Sequence, residues 1–121
     1  MANTVSPLAS PLSKRIVRET GLTATVALNV TGTAGVWYSL DIDNSANGHI
    51  TYVRMWDSLD PTNGTTDPDW IVSVAANTRK VVAAPGGSSY TVGLSMAAVR
   101  EAGTAGTTAP AGAVVVQVVT S

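Results

Sequence analysis

Alternation with a period of two is the feature that most constrains this chain. Leu22, Ala24, Val26, Leu28 and Val30 interleave with Thr23, Thr25, Ala27 and Asn29, which assigns the two sets to opposite faces of an extended strand. A second strand is read over residues 36–43, with Tyr38, Leu40 and Ile42 on one face and Ser39, Asp41 and Asp43 on the other. A third covers residues 49–57, where Ile50, Tyr52, Arg54 and Trp56 alternate with Thr51, Val53 and Met55. Composition points the same way. Val, Thr and Ile supply 37 of 121 residues, while Glu, Lys and Gln supply five, and β-branched side chains favour pleated surfaces over helices.

Turn residues divide the rest. The segments 31–35 and 44–48 are glycine-containing turns, the second with an Asn-Gly pair, and residues 58–69 form a loop punctuated by Asp60-Pro61, Asn63-Gly64 and Asp67-Pro68. Further strands are read over 70–75, 79–84, 89–95 and 113–120, separated by Ala76-Asn77-Thr78, by Pro85-Gly86-Gly87 and by a small-residue loop over 103–112. Residues 96–100 read as one helical turn. About eight short strands without βαβ alternation predict an all-β fold, a single β-sandwich or jelly-roll-like domain over residues 19–121.

Residues 1–18 read as an extended N-terminal arm. Ser6-Pro7-Leu8-Ala9 and Ser10-Pro11-Leu12-Ser13 repeat in tandem, and Lys14, Arg15 and Arg18 follow. Each proline drives the preceding serine towards extended geometry. Such a segment is either a solvated terminus or an arm that docks on another subunit. In the second case Pro7, Leu8, Pro11, Leu12, Lys14, Arg15 and Arg18 are the candidate contact residues.

The chain has one histidine and no cysteine, which excludes disulfides, thiol catalysis and zinc–thiolate sites. A net charge of −1 removes the bulk electrostatic attraction to nucleic acid or an anionic bilayer. The uncharged stretches 21–40 and 102–121 are too rich in Gly, Thr and Ser to be membrane spans. The basic residues follow the prolines, the reverse of an export signal. With no Phe, three Trp and three Tyr, Val and Ala must fill most of the core, and a core of small side chains favours a homo-oligomer.

Candidate chemistry is sparse. Asp41, Asp43 and Ser45 occupy the first, third and fifth positions of a calcium loop, but Ala46 and Tyr52 stand where that loop needs glycine and a bidentate carboxylate. Asp57, Asp60, Asp67 and Asp69 surround the long loop, where turn chemistry competes with a cation or acid–base site. His49 lies near Asp43 and Ser45 without a nucleophile elbow. Gly86-Gly87-Ser88-Ser89 lacks the lysine and helix of a phosphate loop. The aromatic residues suit core packing or a sugar-stacking platform. Sequons stand at Asn29 and Asn63. These readings predict neither enzyme activity, metal nor cofactor.

The run Asp43-Asn44, then residues 50–57 (ITYVRMWD), then Gly64-Thr65-Thr66-Asp67-Pro68 resembles a pattern in small virion proteins of tailed bacteriophages. Pro85-Gly86-Gly87, Thr91-Val92-Gly93-Leu94-Ser95, the 106–110 loop and the Val-rich end continue it over roughly residues 36–120. The resemblance implies a non-enzymatic structural protein of the capsid decoration (cement) type. Such a protein would be made in the host cytoplasm and carried on the capsid surface. It would be a homotrimer whose arm grips the major capsid protein, with no nucleic-acid or membrane partner. The alternative is a tail or fibre module that binds a host surface glycan.

Overall fold

Strands form where Val, Ile, Thr and aromatic residues cluster between glycine- and proline-bearing turns. They are β1 (Arg15–Leu22), β2 (Gly35–Asp43), β3 (Thr51–Asp57), β4 (Trp70–Val74), β5 (Arg79–Tyr90), β6 (Leu94–Val99) and β7 (Val114–Thr120). The computed structural model describes residues 15–27 and 33–121. Two antiparallel sheets result, of order β1-β7-β2-β5 and β4-β3-β6. Their inner faces pack into a β-sandwich, in agreement with the all-β expectation.

β7 shows how the sequence pattern becomes a layer. Val114, Val116, Val118 and Thr120 are buried, Val115, Gln117 and Val119 are half-buried, and the strand lies between β1 and β2. From the four-stranded sheet, Trp37, Leu40, Ile42, Val114, Val116 and Val118 enter the core. From the three-stranded sheet come Val53, Met55, Val74, Leu94, Met96 and Ala98. Trp37 packs edge-on against Trp70, with ring centroids 6.0 Å apart. Burying each such aliphatic or aromatic side chain stabilises the fold by roughly 1.5–3 kcal/mol before the entropy of ordering it is counted.

Several segments differ from the sequence reading. Leu22 closes β1 instead of opening a strand, and β1 begins at Arg15, so Arg15 and Arg18, read as part of an arm, belong to a strand of the sandwich; residues 1–14 lie outside the described residues. Residues 23–27 leave the sheet and reach the edge of β6, where Ala27 and Met96 exchange two backbone hydrogen bonds and Ala98 donates to Thr23. Leu28, Asn29 and Val30 lie outside the described residues. Residues 96–99, read as a helical turn, are strand: β6 is buried on both faces, so it carries no alternation by which to recognise it. The turn between the two strands read over 79–95 falls at residues 91–93, and Pro85-Gly86-Gly87 is an irregularity inside the continuous β5. There, residues 84–87 lie opposite Tyr38 alone. Tyr38 is also the extra residue of β2 against β7. This bulge reverses the inward side, so Trp37, rather than Tyr38, joins Leu40 and Ile42 in the core.

Candidate functional site

On the outer face of the four-stranded sheet a shallow cleft of about 80 Å³ is lined by Arg18, Asp41, Asp43, Arg79, Val115 and Gln117. Strand register assembles it: Arg18 and Asp41 both stand opposite Gln117, and Asp43 stands opposite Val115 and Arg79. Arg79 binds Asp41 in a bidentate fork, Nε donating to Oδ1 at 2.8 Å and Nη2 to Oδ2. That hydrogen bonding holds the Asp41 carboxyl below its usual pKa against a smaller opposing effect of burial, and raises that of Arg79. Both carboxylate oxygens are engaged, so Asp41 is an anchored anion with no proton-transfer role in this arrangement.

The neighbouring Asp43 turns its Oδ1 to the backbone N–H of Ser45 at 2.9 Å. This is an Asx turn, and contacts with Ser45 lower the pKa of Asp43. The calcium-like spacing therefore serves to turn the chain. Next to it, Asn44 and Asn47 are buried hubs. Asn44 Nδ2 donates to the carbonyls of His49 (3.0 Å) and Ala75 (3.0 Å), while its Oδ1 accepts from Asn47 Nδ2 and Thr51 Oγ1. Asn47 Oδ1 accepts from Gly112 N at 2.6 Å. Three connections at one end of the sandwich are tied through these two amides. His49 belongs to the same end, its Nε2 accepting from Ala111 N at 3.2 Å.

The four loop acids disperse rather than converge. Asp57 accepts from Thr91 N and Oγ1, Val92 N and Gly93 N. Burial alone would raise its pKa, but the donors together outweigh it and the net shift is downward. Asp69 Oδ2 accepts from Asp57 N at 2.7 Å, and Asp67 accepts from Thr104 Oγ1 at 2.8 Å. Asp60 is exposed, its backbone N–H donating to Ser58 Oγ. Among the described residues, no group of three or more His, Asp or Glu gathers as metal ligands would.

The outer face of β3 holds what the sequence reading missed. Arg54 and Trp56 alternate with the core residues Val53 and Met55, yet both are fully buried, because the 58–69 and 100–113 loops fold over them. Arg54 Nη1 donates to Asn63 Oδ1 (2.7 Å) and Gly106 O (2.6 Å), and Trp56 Nε1 donates to Thr66 O (2.9 Å). Burial lowers the Arg54 pKa, with Glu101 opposing. Asn63 also donates to Ala24 O at 2.7 Å, so the amide of this sequon is engaged inside the fold. The available signal was a lone cation in the middle of β3, whose other charged residue, Asp57, stands at the strand's end.

The remaining candidates follow suit. Trp37, Trp56 and Tyr90 are buried, and Trp70 packs on Trp37, which leaves no broad aromatic platform on those residues. Gly86-Gly87-Ser88-Ser89 lies within β5 and precedes no helix. Arg15 stands at the exposed start of β1, and Arg18 lines the cleft. Pro7, Leu8, Pro11, Leu12, Lys14 and Asn29 lie outside the described residues. No helix among the described residues is long and apolar enough to cross a membrane. Compared with protein-family models, curated proteins and solved structures, the chain matches none.

Proposed function

We propose that this chain is a structural protein of a bacteriophage virion, a capsid decoration (cement) protein that binds the outer surface of the head as a homo-oligomer and stabilises it. The observation that carries this reading is where the residues of the resemblance go. Asn44 ties the β2–β3 and β4–β5 connections at one end of the sandwich, Asp57 holds the 91–93 turn at the other, and Thr66 receives Trp56. The shared pattern is thus a set of joints, and the likeness is one of scaffold. Asp41, Asp43, Asp57, Asp67 and His49 each engage at least one polar side-chain atom in an internal hydrogen bond. That investment suits a protein whose work is to hold a shape on another surface.

In this reading the capsid contact is made by Pro7, Leu8, Pro11, Leu12 and Lys14, continued by Arg15 and Arg18 at the start of β1. The partner is the major capsid protein, the place is the capsid surface, and neither substrate nor cofactor is involved. Extended segments add to exposed strands through backbone hydrogen bonds, and cations steer them to acidic surfaces. Co-sedimentation with capsids that lack the protein tests the reading. Saturable binding at about hundreds of copies per head is expected, and removal of residues 1–13 should weaken it while leaving the circular dichroism of the sandwich unchanged. Absence of capsid binding, together with retention of the protein on tails at a few to tens of copies, would replace it with the glycan-binding tail module.

A further inference from the structure

We infer, resting on the capsid reading, that Leu59 and Val92 mark the end of the sandwich that faces the capsid. The two side chains seat on an aliphatic patch of the major capsid protein that has a lysine or arginine beside it. Six large hydrophobic side chains are exposed among the described residues: Ile16, Ile50, Leu59, Ile71, Val81 and Val92. Strand register keeps four of them apart. Ile16 on β1 and Val81 on β5 stand on opposite edge strands of the four-stranded sheet, three strand spacings or roughly 14 Å from each other. Ile71 lies opposite Arg54, four residues along from Ile50, which is roughly 13 Å of extended chain. Leu59 and Val92 differ. Ser58 N donates to Gly93 O at 3.0 Å, so Leu59 and Val92 stand one residue beyond that bond on the two segments it joins, at one tip.

Rigidity and position single out this tip. Asp57 accepts from the N–H groups of Thr91, Val92 and Gly93, and Ser95 Oγ donates to Ser58 O at 2.7 Å. Apolar groups carried on backbone that is already held lose little freedom when a partner covers them. Position follows from register. Arg15 opens β1 opposite Thr120, and Thr120 stands opposite Trp37. Gly35, at the same end of β2, stands opposite Tyr90, which leads into the 91–93 turn. Residues 1–14 are therefore attached at the end that carries Leu59 and Val92, and the tip extends the contact proposed for them. Charge states the partner's chemistry. Asp60 and Asp69 are exposed beside the tip, whereas Arg79, Lys80 and Arg100 stand at the opposite end, where β5 begins and β6 has ended. An aliphatic pair rimmed by carboxylates is complementary to an apolar patch flanked by a cation.

The test is co-sedimentation of the full chain with capsids that lack it. Leu59→Ser and Val92→Ser should each weaken binding about tenfold. Their thermal midpoints should stay close to that of the unaltered chain, because the two side chains are already 43% and 45% exposed. Val81→Ser, at a position 64% exposed on β5, should bind as the unaltered chain does. Asp60→Lys reverses the rim charge and should also weaken binding. Because the chain has no cysteine, a photoreactive group attached through Val92→Cys should cross-link to the major capsid protein, and the same group attached through Val81→Cys should not. That cross-link decides even where a serine variant fails to fold. Unchanged binding by both serine variants, tighter binding by Asp60→Lys, or cross-linking through position 81 in preference to 92 overturns the inference and leaves the capsid reading standing. Failure of the unaltered chain to bind capsids overturns both.

Discussion

Arg54 and Asn63 are 2.7 Å apart, guanidinium Nη1 to amide Oδ1, and the same asparagine donates to Ala24 O. One buried cation on the outer face of β3 thereby fastens the long 58–69 loop, the loop after β6 through Gly106 O, and the segment that covers the edge of β6. Removing one partner from a buried charged network leaves the others desolvated and unpaired. Arg54→Ala is expected to cost about 3 kcal/mol in urea unfolding and to expose the 58–69 loop to protease. Arg54→Met, which keeps the apolar stem, should cost less. Loops that stay protected in Arg54→Ala would show that they are held by something other than this cation.

Asn44 is expected to be sensitive to a change of one atom. Its Nδ2 faces carbonyl oxygens of His49, Val74 and Ala75, and its Oδ1 takes donors from Asn47 and Thr51. Asn44→Ala orphans several buried groups, each worth about 1–3 kcal/mol. Asn44→Asp is nearly isosteric but turns an anionic oxygen towards the carbonyls that the amide now satisfies. At neutral pH it should therefore melt below Asn44→Ala. The reverse order would show that the cavity, rather than the polarity of the site, decides.

Gly86 and Gly87 separate backbone strain from steric overlap. Both have positive φ, +80° and +86°. A Cβ at Gly86 meets nothing within 4 Å, whereas one at Gly87 overlaps Val36 Cγ1 and stands 2.9 Å from the Tyr38 ring. Gly86→Ala should cost only the left-handed conformation, about 1 kcal/mol. Gly87→Ala must also displace the Val36 and Tyr38 side chains beside the β2 bulge and should cost clearly more, read as a lower thermal midpoint. Equal losses would mean that β5 slides there without resistance.

How far the sequence foretold this arrangement depends on where each signal resides. β2, β4 and β7 were legible because each has a buried and a less buried face, β3 because its β-branched and aromatic residues lie between turn signals, and the turn at Asn77, with φ 55°, was legible from its residue types. β1 was hidden: Arg15-Ile16-Val17-Arg18-Glu19 looks like a solvated cluster, and only its position at an edge makes those charges tolerable in a strand. β6 was hidden for the opposite reason, since Leu94-Ser95-Met96-Ala97-Ala98-Val99 is buried throughout and tertiary pairing overrides the helical preference of Ala and Met. Alternation set Arg54 and Trp56 on one face of β3, but nothing local could tell that this face is the outer one or that two distant loops close over it.

Asp57 supplies a prediction in pH. Its carboxylate, burial notwithstanding, is held below its ordinary pKa by four donors from residues 91–93, so the folded state binds its proton less readily than the unfolded chain does. A group of this sign contributes stability that is fully present above the unfolded value, about 3.9 for Asp, and is lost as pH falls through the folded one. Asp41, Asp43 and Glu101 are lowered as well, so stability should be level from pH 7 to about 5 and decline below about 4. Asp57→Asn retains one acceptor oxygen and gains an NH2 that has no use among backbone donors. It should therefore lose about 1–2 kcal/mol at pH 7. Because protonation removes the advantage of the wild-type carboxylate, the two stability curves should converge between pH 4 and 2. Urea midpoints measured across that range decide the matter: curves that stay parallel down to pH 2 would show that the 91–93 turn does not depend on the charge of Asp57.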